Sequence, residues 1–111
     1  MANIYTNAKV DLTTTDVTTL YTTPNNSRAI VKSLLISNDA GSAATITVTL
    51  TNVASAVFNL FNVKSIASNT TEQLLTEPLI LLENEILKVT ASDANELHVI
   101  GSLLEINRED S

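Results

Sequence analysis

The chain contains no cysteine and no tryptophan, one histidine, two glycines and two prolines in 111 residues. Without cysteine there is no disulfide scaffold and no thiolate-ligated zinc site. The two glycines, Gly41 and Gly101, stand far apart, so no glycine-rich loop exists to bring backbone amides onto a phosphate. Tyr5, Tyr21, Phe58 and Phe61 are the only aromatics. That is thin material for a sugar platform or for stacking a single nucleic-acid strand. Basic residues are scarce and dispersed: Lys9, Arg28, Lys32, Lys64, Lys88 and Arg108, against twelve acids, for a net charge of −6. A phosphate backbone needs a basic stripe, so no nucleic-acid partner is expected. No apolar run approaches the ~20 residues of a membrane-spanning helix, so no membrane partner is expected either. Residues 1–10 carry no apolar segment of the secretory type, which predicts synthesis in a cytosol.

What the chain does have is β-forming material. Leu, Val and Ile total 33 residues, and Thr, Asn and Ser add 16, 12 and 10. This suffices for one domain with one core. Residues 45–51 alternate strictly, with Ile46, Val48 and Leu50 on one face and threonines on the other. That pattern reads as a half-buried strand with a wet hydroxyl face. Residues 85–91 alternate as well. Residues 28–38 and 96–106 are apolar on both faces. In the first, Ile30, Leu34 and Ile36 oppose Val31 and Leu35. In the second, Leu97, Val99 and Leu103 oppose Ile100, Leu104 and Ile106, with a bulge near Gly101 as one way to shift the phase. Period two separates Phe58, read as core, from Phe61, read as outward.

Turn signals punctuate these runs, strongest at Thr23-Pro24-Asn25-Asn26-Ser27 and next at residues 38–42. The spacing predicts about eight strands, at 17–22, 29–37, 45–52, 56–66, 71–75, 79–81, 86–91 and 97–106, with a short extra one at 8–12. The expected fold is all-β: a single antiparallel β-sandwich, jelly-roll-like, with immunoglobulin-like topology equally compatible with the strand count. The expected organisation is an N-terminal arm over residues 1–12, a sandwich over 13–106 and a polar tail over 107–111.

Catalytic chemistry finds little support. His98 lies within a strand and no serine sits in a nucleophile elbow, so no triad is expected. Glu83 and Glu85 flank one turn, and Asp93, Asn95 and Glu96 form another. Neither has the spacing of a calcium loop, and both read as solvated turns. No enzyme activity, cofactor or metal is expected. Low charge combined with strands apolar on both faces is what charge-depleted subunit contacts show, and a small sandwich with loops over one face shows it equally.

The run from Tyr21 to Asn38, with Tyr21-Thr22, Pro24, Asn26, Ala29-Ile30-Val31, Ser33 and Asn38, resembles a pattern of small structural proteins of tailed bacteriophages, notably those of marine bacteria and cyanobacteria. Ile66, Asn69-Thr70-Thr71, Leu74-Leu75, Pro78-Leu79, Leu81, Leu87, Val89 and Ala91 continue the likeness, and Leu104-Glu105-Ile106 closes it. Asn84 stands where glycine is commoner, a mild departure because Asn tolerates the left-handed conformation. The resemblance implies a virion component built as a β-sandwich, with no catalytic residues. It implies a capsid decoration (cement) protein, or alternatively a tail, neck or fibre component that binds a host glycan or an adaptor. The partners then expected are further copies of the chain, with a trimer favoured, and the major capsid protein. The location expected is the virion, after synthesis in a bacterial cytoplasm. Candidate contact residues are Ile4, Tyr5 and Val10 in the arm, Val31 and Leu35, Phe61, and Ile100, Leu104 and Ile106.

Overall fold

A computed structural model describes residues 2–107. Nine strands run through them: β1 (Ala2–Asp11), β2 (Thr18–Thr22), β3 (Ser27–Asn38), β4 (Ala44–Thr51), β5 (Val57–Ile66), β6 (Thr70–Gln73), β7 (Leu79–Leu81), β8 (Ile86–Ala91) and β9 (Leu97–Asn107). All strand pairs are antiparallel. One sheet, sheet A, has the order β1-β9-β3-β6, with β7 also on β3. The other, sheet B, has the order β2-β8-β4-β5. Most connections cross between the sheets, and β4–β5 is a hairpin within sheet B. This is the nested Greek-key order of a jelly roll, with β6 and β7 sharing the place of one strand.

The predicted strands reappear within a few residues. The largest difference lies at the N-terminus. In place of a short strand at 8–12, β1 runs ten residues along β9 in unbroken register, from Ala2↔Asn107 to Asp11↔His98. Leu12 follows it into the core, at 1% exposure. Residues 108–111, most of the expected polar tail, lie outside the described residues, and Asn107 belongs to β9.

The core is a layer of Leu, Ile, Val and Ala between the sheets, supplied mainly by alternate residues of β3, β4, β8 and β9. Strand β9 keeps one phase throughout: Leu97, Val99, Gly101 and Leu103 face inward. The bulge considered near Gly101 sits instead on its partner. The β3–β9 register shifts between Val31 and Ser33, which makes Lys32 the extra residue. The shift reverses the phase of β3 halfway along. Ala29 and Val31 point inward before it, and Leu34 and Ile36 after it. Val31, expected at a subunit contact, is therefore fully buried. Ile30 does not share a face with Leu34 and Ile36 but lies with Leu35 on the outside.

A second bulge corrects the reading of the phenylalanines. The β4–β5 register shifts between Val48 and Thr49, so Phe58 pairs with Leu50 and Phe61 with Val48, both residues of the inner side of β4. Phe61 packs on the core, whereas Phe58 lies toward the strand end and is 52% exposed. Thr51 also departs from expectation: it is buried rather than wet, and its hydroxyl has no partner among the described residues.

Turn chemistry follows the residues. Asn26, Asn69, Asn84 and Asn95 all adopt positive φ near 60°, the conformation Asn tolerates best among residues with a Cβ. Val63 also has a positive φ, 52°, beside a further register shift between Ile46 and Val48. Its amide donates to Thr47 Oγ1 at 3.1 Å. A β-branched residue in this region is strained by about 1–2 kcal/mol. Val63 is 60% exposed and gains little from burial. Val63→Asn is therefore expected to raise stability by about 1 kcal/mol, read as a higher midpoint in urea unfolding with an unchanged slope.

Candidate interaction surface

The outer face of sheet A is assembled from the alternate residues that the core does not use. Register places Tyr5 beside Leu104, Leu104 beside Ile30, and Ile30 beside Ile80. These four side chains form one apolar row across β1, β9, β3 and β7. A second row runs Lys9, Ile100, Leu35 and Gln73, and a third brings Ile106 beside Arg28. Tyr5 is 75% exposed, Ile80 58%, Ile100 40% and Leu35 36%. The bulge at Lys32 is what lets Ile30 and Leu35, five residues apart, share this face. The Lys32 ammonium lies over the Tyr5 ring, 5.8 Å from its centre, within reach of a cation–π attraction. Lys9, Arg28 and Lys32 thus rim an apolar patch on a chain whose net charge is negative.

The outer face of sheet B is of another kind. Thr45, Thr47 and Thr49 on β4 line up with Thr90 and Lys88 on β8 and with Thr19 on β2. This is the hydroxyl face read from the strict alternation of residues 45–51.

Of the nine residues expected at contacts, Tyr5, Leu35, Ile100, Leu104 and Ile106 come together on the outer face of sheet A. Ile4 lies on the other side of β1, opposite Glu105, and is 47% exposed. Val10 and Phe61 pack against the core, and Val31 is inside it. Ile30 and Ile80 belong to the surface and were missed. Ile30 was hidden by the reversed phase of β3. Ile80 sits in a three-residue strand, too short for alternation to assign a face.

Three of the polar residues singled out in the sequence, His98, Glu85 and Glu96, make structural contacts. His98 stands between two carboxylates on the outer side of sheet A, with Nδ1 3.2 Å from Asp11 and Nε2 3.3 Å from Asp39. It joins the end of β1 to the turn after β3. Glu85 accepts the Leu82 amide at 2.8 Å, and Glu96 accepts the Ser42 hydroxyl at 3.2 Å. Among the described residues, no group of three or more acidic or histidine side chains could hold a metal ion. A shallow groove of about 230 Å³ follows Lys9–Asp11 and His98–Ile100. It lies along the same outer face of sheet A.

One inter-sheet contact was not anticipated. The Tyr21 hydroxyl donates to Glu105 at 2.6 Å, joining β2 to β9. Burial, and then the Glu105 carboxylate as hydrogen-bond acceptor and charge, push the Tyr21 phenol above its ordinary value. In the unfolded chain this phenol ionises near pH 10, whereas in the fold it stays protonated to higher pH. Its contribution is therefore complete below pH 10 and falls away as pH rises beyond it. Urea unfolding at pH 9–11 is expected to show a steeper alkaline loss in the wild type than in Tyr21→Phe.

The fold has a solved counterpart. A chain in a structure of infectious bursal disease virus, Gx strain, superposes on 98% of this chain with a TM-score of 0.52 and 11% identity. A structure of the Gt strain of the same virus aligns over 100% of this chain, with a TM-score of 0.43 and 10% identity. This chain spans about a third of each matched chain, 31% and 32%. No family model and no curated protein sequence matches it. At such identities the likeness concerns the fold, and the tailed-phage lineage rests on the sequence pattern alone.

Proposed function

We propose that the chain is a non-enzymatic structural component of a virion, and more narrowly a capsid decoration protein. The observation that carries this reading is the outer face of sheet A: a lysine- and arginine-rimmed apolar row on a jelly roll whose core is already complete without it. Such a patch marks an association surface rather than a folding requirement. The fold's likeness to a chain of a virus structure and the phage-type sequence pattern support the same direction. The mechanism is mass action: a protein that binds the assembled shell, and not its dissociated parts, stabilises the shell. The apolar row supplies contact area against a capsomer, and Lys9, Arg28 and Lys32 favour an acidic shell surface.

The test is the copy number of the chain in purified particles, by quantitative mass spectrometry against the major capsid protein. A number comparable to the capsid protein is the expected result. A few to a few tens of copies would move the chain to the tail or fibres, and absence from particles would overturn the virion reading. On particles stripped of the chain, the Leu104→Glu variant is expected to rebind far more weakly than the wild type while remaining folded.

A further inference from the structure

A sheet edge offers unpaired backbone donors and acceptors, and proteins blunt such edges with short strands, bulges, proline or charge. Three of the four edges here are blunted. Strand β2 has five residues and a register shift, β5 carries two shifts, and β6 and β7 have four and three residues. Strand β1 is the exception. It has ten residues without proline, it pairs with β9 without any shift, and it is exposed from Asn3 through Asn7.

Which of its backbone groups are free follows from the ladder. The Leu12 amide donates to the Leu97 carbonyl at 3.0 Å. Antiparallel pairs alternate between bonded and non-bonded, so the even-numbered residues of β1 bond to β9. The odd ones, Asn3, Tyr5, Asn7 and Lys9, turn their N–H and C=O groups to the open edge. At that edge the adjacent Thr6 hydroxyl donates to the Asn7 carbonyl, at a long 3.5 Å.

We propose that this edge pairs with β1 of a second copy of the chain, antiparallel about a two-fold axis at Asn7. In that register Lys9 lies opposite Tyr5 of the other copy and Asp11 opposite Asn3, so neither charge meets its like. On the inner side Ile4 lies opposite Val10, apolar beside apolar, and Thr6 lies opposite the small Ala8. The apolar row from Ile80 to Tyr5 then runs on through Lys9 into Ile100 and Leu35 of the second copy, doubling the outer surface. A two-fold contact is isologous and closes as a dimer, in place of the trimer expected from the sequence. The inference stands on the edge geometry and does not depend on a virion role.

The test uses the full chain in sedimentation over a micromolar to millimolar range, with two kinds of variant. Proline at position 7 removes an N–H that faces the open edge and none that faces β9. The wild type is expected to dimerise with concentration, and Asn7→Pro to be a folded monomer. Ala8→Pro, which takes a hydrogen bond from Gly101, is expected to lose stability instead. The cysteine-free chain also permits a single-cysteine test. Bonded antiparallel pairs hold Cα atoms about 5.5 Å apart, within disulfide range. Asn7→Cys is expected to oxidise to a covalent dimer, and Asn3→Cys not to. A wild type that stays monomeric, or that forms a trimer, overturns the proposal, as does a dimer that survives Asn7→Pro. Should Asn7→Pro fail to fold, failure of Asn7→Cys to cross-link overturns it alone.

Discussion

Deletion of Thr47 is expected to abolish folding, whereas deletion of Lys32, also within a central strand, leaves the protein folded. Strand β4 pairs with β8 in regular register from Ile46 to Thr51. Removing Thr47 shifts the alternation by one and turns either Ile46 or Val48 with Leu50 to solvent. Ile46 and Val48 are both fully buried. Each buried aliphatic lost costs about 2–5 kcal/mol, and each threonine hydroxyl forced inside adds about 1–3 kcal/mol. Those losses together match the ~5–15 kcal/mol total stability of an ordinary domain. Lys32 is the extra residue of its bulge. Without it, Val31↔Leu103, Ser33↔Ser102 and Leu34↔Gly101 become one regular ladder, with every core residue still facing inward. Circular dichroism and urea unfolding of the two deletions check this. A folded Thr47 deletion, or an unfolded Lys32 deletion, would contradict the phase assignment.

Asn38→Ala is expected to cost roughly 3 kcal/mol, or ~12–24 °C of melting temperature for a domain near 100 residues. Asn38 is 1% exposed at the end of β3. Its side-chain amide donates to the Ser42 and Ile66 carbonyls at 3.0 and 3.2 Å, and its carbonyl accepts the Ala40 amide at 2.9 Å. One side chain thus holds the β3–β4 turn and ties it to the end of β5. Truncation strands the Ile66 carbonyl, whose bond to Asn38 is buried, and frees the turn at Ala40 and Ser42. Differential scanning calorimetry gives the shift, and Asn38→Asp, which turns a carboxylate oxygen toward the two carbonyls the amide had bonded, is expected to lose at least as much as Asn38→Ala at neutral pH.

Much of this architecture was legible from local pattern. Strict alternation marked β4 and β8, because a half-buried strand needs apolar residues at every second position. The left-handed turn at Asn84 could be read from residue type, since few side chains tolerate that conformation, and φ there is 64°. The absence of cysteine excluded disulfides and thiolate-ligated metal before any fold was known.

Other features depended on pairing between segments distant in the chain. The jelly-roll order could not be told from an immunoglobulin-like one, because strand count and length are alike and only the sheet-to-sheet crossings differ. Phase along β3 and β5 was misread where a bulge intervened. A bulge is set by what the partner strand and the core accept, and Lys32 carries no local mark of it. The same shift brought Ile30 and Leu35 to one face. Tyr5, Leu104, Ile30 and Ile80, scattered over a hundred positions, became neighbours only once β1, β9, β3 and β7 lay side by side. Composition and alternation therefore determined that this is a β-sandwich with few chemical groups to offer. Tertiary pairing decided which of its faces and edges are left to meet another molecule.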